Sequence, residues 1–295
     1  MDWLFKFPQA SPDILLAIKR FIDGSLRAFT RSYGSAIEDL FSPLLHTLIF
    51  FENLMTSAPW PLVVLVLAAI GWFAARSWTV VAGTVGTLMA IGLIGLWPDT
   101  MKTISLVLTT TIFSIAIGIP LGIVMNRYKK VSGIMQTFLD VMQTMPPFVY
   151  LIPVVMLLGI GRVPGFIAVV IYAIPPIIRL TDLGIRLVDK EVLEAADAYG
   201  CSRWQKLLKV QMPLAMPTIM AGINQTIMMA LAMVVIASMI GVQGLGLNVL
   251  QAIANQYFTQ GILNGFAIVG IAIMFDRMSQ AYGKRLQTYR GVGHE

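Results

Sequence analysis

Glu194, Ala195, Ala196, Gly200, Arg203, Trp204, Val210 and Pro213 fall within twenty residues of a polar stretch set between apolar segments. None of these types in this order makes or breaks bonds. They suit docking: a short helix, a turn and a second short helix, with apolar and basic surfaces to offer a partner. Glu191 to Tyr199 is rich in Ala, Leu and Glu, which are good helix formers. Gly200 stands where a helix end needs a residue tolerant of positive φ. Ser202 with Gln205 three residues on is a capping-box pattern that starts the second helix. On that helix Trp204, Leu207 and Leu208 share one face, and Arg203, Lys206 and Lys209 lie mostly on the other. Pro213 and Pro217 mark the end of the hairpin and the start of a new apolar span. An ordinary loop helix and a DNA-binding helix-turn-helix are the competing readings. The apolar spans close on both sides argue against the second, and the net charge of +6 needs no nucleic acid partner.

The rest of the chain holds little reactive chemistry. His46 and His294 are the only histidines and lie far apart. There is no His-Glu-x-x-His zinc pattern, no Gly-x-Ser-x-Gly elbow and no phosphate loop. The single cysteine, Cys201, excludes an intramolecular disulfide and a multi-cysteine metal site. No catalytic residue, metal or cofactor is therefore assigned to this chain, and any ATP-driven work requires a nucleotide on another subunit. Asp140 and Arg179 lie near expected inner span ends and Asp99 near an outer one. Ion-coupled carriers bury ionisable groups near mid-membrane and often duplicate their halves, and neither pattern is evident.

These residues must be positioned by a membrane scaffold. The chain is 57% hydrophobic and 12% charged, against about 25% charged in soluble domains. About 20 apolar residues cross the hydrocarbon core. Seven stretches qualify as spans: 61–75, 79–97, 102–125, 136–160, 164–181, 217–240 and 262–281. With the hairpin placed inside the cell, fourteen of the 21 Lys and Arg fall on inner segments, which the positive-inside tendency favours. That sets the N-terminus outside and the C-terminus in the cytoplasm. No continuous apolar run follows the start, so a cleaved signal peptide is not expected. Ile14 to Phe29 and Ile37 to Met55 carry apolar residues at helical spacing. They read either as amphipathic helices in the interface or as an external helical hairpin packed on itself.

Two further features bear on a pathway. Gln143, Thr144, Pro146 and Pro147 put polar side chains and two prolines inside the fourth span. Proline kinks a helix and frees carbonyls, which are tolerated at membrane depth only beside protein or a wet cavity. A kinked pore-lining helix and a kink needed only for packing are both open. Pro175 and Pro176 raise the same pair of readings, with packing preferred. Gly241, Gly244 and Gly246 allow positive φ and close backbone approach after span six. Met is abundant, with 18 residues, and fills irregular packing.

The series Glu194, Ala195, Ala196, then Gly200, Val210, Met212 and Pro213 resembles the EAA signature of ABC-importer permeases. The family usually has Ile and Leu where this chain has Val210 and Met212. The stretch Gly241 to Asn248 is similar to the Gly-Leu-Gly turn common after the equivalent span, where Gly244 and Gly246 would form a tight external loop near the gate. The resemblance covers about 100–283. The whole layout is similar to the glycine betaine, proline betaine, carnitine and choline group, through Pro59-Trp60-Pro61, the run Asp140 to Pro147 and the wording around Glu191 to Pro213. It implies an all-α integral membrane protein of the type I ABC importer permease fold, with about seven transmembrane helices plus N-terminal interfacial helices. Residues 1–60 would be the extracytoplasmic interfacial region and 61–97 accessory transmembrane helices. Residues 98–283 would be the permease core, with its coupling hairpin at 184–216, and 284–295 a cytoplasmic tail. It implies a transport subunit of the inner membrane, not an enzyme. The partners would be an ABC ATPase that binds ATP and Mg, an extracytoplasmic substrate-binding protein, a second copy of the chain and the lipid bilayer. Glu194 to Gly200 would sit in a groove of the ATPase. The aromatic cage that attracts a trimethylammonium group would belong to the binding protein, so Phe148, Tyr150 and Tyr172 are not assigned to ligand. The alternatives are an importer for another small solute such as an amino acid or sulfonate, an ion-coupled carrier, and an intramembrane enzyme.

Overall fold

Length and apolarity decide which helices can cross a bilayer. The computed structural model describes residues 11–291, and among them no strand occurs. Four helical stretches are long and apolar enough to span: Trp97–Arg127, Arg162–Arg186, Arg203–Ser238 and Phe258–Leu286. Two bent pairs qualify if each counts as one span: His46–Ser57 with Trp60–Ala75, bent by 113°, and Lys129–Thr144 with Pro147–Leu158, bent by 103°. The count is thus four to six, against about seven expected. The difference has three sources, one of them the break of the expected fourth span at Pro146 and Pro147. The first expected span joins the end of the preceding helix across a sharp bend. The second is a helix of 16 residues, Trp78–Leu93, only about 24 Å long against a hydrocarbon core of about 30 Å.

In chain order the helices are α1 Pro12–Ser57, α2 Trp60–Ala75, α3 Trp78–Leu93, α4 Trp97–Arg127, α5 Lys129–Thr144, α6 Pro147–Leu158, α7 Arg162–Ala173 and α8 Pro175–Arg186. Then come α9 Lys190–Ala198, α10 Arg203–Gln205, a π-helical turn Lys206–Gln211, α11 Met212–Ser238, α12 Leu245–Ala254 and α13 Phe258–Gly291. Pro at the first turn opens α1, α2, α4, α6 and α8, where its missing N–H costs nothing.

The centre is the packing of α8 against α4 and α11. Small residues let these backbones close: a Cβ on Gly122 would stand 2.7 Å from the Ile178 carbonyl oxygen. One apolar cluster, around Ile104, Phe166, Met233 and Ile271, fills the end near the start of α4. A second, around Met125, Leu139, Ile177 and Ile219, fills the end near the hairpin. Met contributes to both, as Met233 and Met125 show.

The two amphipathic N-terminal segments lie on one continuous helix, so the external hairpin packed on itself does not form. The end of α1 is fixed: Leu48 is buried and Glu52 pairs with Arg162 at 3.2 Å. Its beginning leaves Ile14, Leu15, Ile18 and Phe21 exposed.

Candidate functional site

The polar hairpin forms as its local sequence dictates. The Asp189 side chain caps α9 by accepting from the Glu191 N–H at 3.0 Å. The far end closes in a Schellman pattern, with Gly200 N–H donating to Asp197 O at 2.9 Å and Cys201 N–H to Ala196 O at 3.0 Å. Gly200 adopts φ +74, and nothing lies within 4 Å of where its Cβ would stand. Backbone conformation alone, not crowding, selects glycine there. Ser202 and Gln205 then make the full capping box: the Gln205 N–H donates to Ser202 Oγ at 3.3 Å and the Ser202 N–H to Gln205 Oε1 at 2.8 Å. Lys206 and Asp197 form an ion pair that ties the two arms together.

The surface so built exposes Glu194, Ala195, Arg203 and Trp204 and buries Ala196. Tyr199 is 89% exposed and Trp204 69% exposed, so large apolar groups face outward with no cover from this chain. Two expectations about the second arm are corrected. Leu207 turns away from Trp204 and Leu208 to pack on the inner apolar cluster, and Lys206 is half-buried. Nor do Pro213 and Pro217 end the arm; helix runs on from Arg203 to Ser238. Proline at 213 lacks an N–H, and its ring would clash with the carbonyl four residues back. The π-helical turn holding Val210, just before it, widens the helix there, and the Met212 N–H donates to Leu207 O. Val210 is half-buried and Pro213 exposed in the first turn of α11.

Pro146 and Pro147 do more than kink a span. They break it into α5 and α6, with Met145 extended at ψ 132, as the residue before proline prefers. Pro146 cannot donate to the Met142 carbonyl as an α-helix requires. The Tyr150 hydroxyl donates to that carbonyl instead, and the Tyr150 ring stands edge-on to Tyr172 of α7 at 5.8 Å. The Thr144 hydroxyl is spent on the Val141 carbonyl at 3.1 Å.

Gln143 lines a cleft of about 420 Å³ with Arg179, Asp182 and Arg186 of α8 and Gln225 of α11. Arg179 pairs with Asp140, and Arg186 pairs with Asp182 at 2.6 Å. Asp182 Oδ1 and Arg179 Nε are buried without a partner. The glycine-rich loop lies elsewhere. Gly241 and Gly244 have φ +103 and +125, while Gly246 sits in α12, where a Cβ would stand 2.6 Å from the Val234 carbonyl oxygen. The Leu245 N–H donates to Thr103 Oγ1 at 3.0 Å, and Asn248 donates to Asp99 at 2.8 Å and to Asn264 at 3.1 Å. Thr103 and the cleft residue Met125 lie at opposite ends of α4, about 33 Å apart at 1.5 Å per residue. The pathway residues singled out in the sequence are therefore not one site: Gln143 belongs to the cleft, and Gly244 and Gly246 to the opposite end.

Asp182, Gln225 and Asp276 carry no expectation from the sequence, and Tyr150 is considered there only as a ligand residue and not assigned. Asp276 lies in the last long helix and accepts from Asn224 at 2.9 Å and from Gln280 at 2.7 Å. A carboxylate inside an apolar stretch was the available signal for Asp276. Nothing local marks Gln225 or Tyr150, whose contacts cross between elements.

A helical membrane scaffold built around an α4–α8–α11 core, with a polar hairpin feeding the helical stretch Arg203–Ser238, defines the class of protein. The family described as binding-protein-dependent transport system inner membrane component matches residues 114–287, more than half of the chain, and the chain belongs to that family. It is 41% identical over 283 residues to the glycine betaine transport system permease protein OpuAB of Bacillus subtilis (strain 168), covering 95% of this chain and 96% of that one. It is 50% identical over 234 residues to the glycine betaine/proline betaine transport system permease protein ProW of Escherichia coli (strain K12), covering 79% of this chain and 66% of that one. The chain thus spans just under two thirds of that relative's length. Among solved structures, the MetNI methionine ABC transporter in an inward-facing conformation matches with TM-score 0.55 and 19% identity, covering 65% of this chain and 95% of that one. That likeness shows the fold, that of a type I ABC importer permease.

Proposed function

We propose that this chain is the permease subunit of an ATP-driven importer for quaternary ammonium solutes of the glycine betaine, proline betaine, carnitine and choline class. The observation that carries the solute class is the match to OpuAB along nearly the full length of both chains. The coupling role draws support from the geometry of Glu194 to Pro213, an outward-facing hairpin whose apolar tip, Tyr199 and Trp204, this chain leaves uncovered. An ABC ATPase subunit seats on that tip and supplies the ATP-Mg chemistry. A binding protein delivers solute on the other side, and a second copy of the chain closes the pathway, since two-fold pairing is the common solution. The hairpin and the C-terminus face the cytoplasm, and the N-terminus faces outward. Labelling of a cysteine at position 205 from outside intact cells would reverse this orientation.

One relative favours a neighbouring solute. The trimethylamine N-oxide transport system permease protein TmoV of Ruegeria pomeroyi is 34% identical over 293 residues, though this chain covers 44% of it. Both solute classes carry a methylated nitrogen centre. Uptake of labelled glycine betaine into cells carrying the complete system, in competition with choline, carnitine, trimethylamine N-oxide and methionine, separates the readings. Competition by the methylated solutes and none by methionine is expected. Competition by methionine alone would transfer the chain to another solute class.

A further inference from the structure

We infer that the cleft between α5, α8 and α11 is a transit subsite of this chain for a zwitterion, with Arg179 facing the solute carboxylate and Asp182 facing its cationic nitrogen. The inference rests on the quaternary ammonium reading above. The charges in and beside the cleft balance: Arg179 with Asp140, and Arg186 with Asp182. A balanced set favours a solute of zero net charge, so among the proposed solutes the zwitterions should occupy the cleft better than cationic choline, which leaves a charge of the set without its counterpart. Two of the groups are also incompletely satisfied. Asp182, with a side chain only 7% exposed, leaves Oδ1 without a partner, and Arg179 leaves Nε without one. Buried charged atoms lacking a partner are costly, so a solute that supplies partners of both signs is favoured.

The same lining argues for transit, not retention. Gln136, Gln143 and Gln225 add neutral donors and acceptors, and among the described residues no aromatic side chain lines the cleft. A methylated ammonium ion held tightly uses aromatic faces, and without them the affinity is weak, as a passing site requires. The placement fits as well. Gln225 stands about 20 Å along α11 from Met212 at 1.5 Å per residue, so the cleft runs from the hairpin end toward mid-span. Arg186 ends α8 only three residues before the Asp189 cap of the hairpin. Movement of the hairpin therefore shifts Arg186 and its partner Asp182 directly.

The test uses the complex of this chain with its ATPase in nanodiscs, without binding protein. Leu183, which lines the cleft and is 42% exposed, is replaced (Leu183→Cys) in a Cys201→Ser background, and its rate of thiol labelling is followed. Glycine betaine should slow labelling. Tetramethylammonium and acetate, each carrying half of the zwitterion, should need roughly tenfold higher concentration or more, as should betaine after Arg179→Gln or Asp182→Asn, because one oppositely charged partner is lost. Should either variant fail to fold, Gln225→Ala tests the same wall, with a smaller rise in the protecting concentration. Protection equal to that of sucrose at the same osmolarity, or protection unchanged by all three substitutions, overturns the subsite. If uptake of betaine stands while protection fails, the subsite alone is wrong. If no methylated solute is taken up by the complete system, the solute class is wrong, and the labelling result still stands by itself because it needs no binding protein.

Discussion

At residues 145–147 the helical path turns through 103°, whereas at 206–213 another proline-bearing stretch keeps a single helix of 36 residues running. The two regions differ in how many donors are lost in succession. Pro146 and Pro147 remove two adjacent N–H groups and push Met145 into extended backbone, so the helix cannot bridge the gap. Pro213 removes one donor, and a π-helical turn absorbs the misfit. One region becomes an elbow held from outside by Tyr150. The other becomes a rod that joins the hairpin to the middle of the membrane-spanning core. Under the proposed coupling role, motion of the hairpin would reach the core through the rod.

The largest effect is expected from straightening the elbow. Each proline opposes a continuous helix by roughly 3 kcal/mol relative to Ala, so the double variant Pro146→Ala/Pro147→Ala removes about 6 kcal/mol of opposition. Spin labels at the exposed positions Phe138 and Ile152 should then move apart, toward about 21 Å for a straight helix. An unchanged distance would mean that tertiary packing, not the prolines, sets the bend. Next comes Tyr150→Phe, which leaves the Met142 carbonyl unpaired and should cost about 1–3 kcal/mol in chemical unfolding. The cost should shrink in a Pro146→Ala background, where residue 146 donates to that carbonyl, and a double-mutant cycle reads this coupling. Equal cost in both backgrounds would sever Tyr150 from the elbow. Pro213→Ala should change stability least, by less than about 1 kcal/mol, because the π-helical turn already relieves the clash, position 213 is exposed and the helix is continuous either way. A loss comparable to that of Tyr150→Phe would show that the rod depends on its proline.

What could be read from the sequence follows the range of the forces involved. Gly200, Ser202 and Gln205 act on neighbours within five residues, so the turn and its caps were legible. The prolines at 146 and 147 announced a disruption, but its angle depends on Tyr150 reaching back eight residues and on Tyr172 from another helix. The π-helical turn left no mark beyond Pro213 itself. The cleft draws Gln143, Arg179 and Gln225 from three separate elements, and only packing brings them together. The N-terminal helix showed its amphipathic period but not that α1 runs unbroken to Ser57.

The central claim proposed for this chain is that ATP-driven force enters it at the hairpin. The direct test is proteoliposomes holding the chain with its ATPase, with binding protein and glycine betaine supplied at the outer face. ATP hydrolysis should rise with the solute only when the binding protein is present. Gly200→Val forces a β-branched residue to φ +74, a strain of about 1 kcal/mol or more, and should abolish uptake while the binding protein keeps its affinity. Full uptake by Gly200→Val at normal expression, or ATP hydrolysis by this chain alone, would contradict the account.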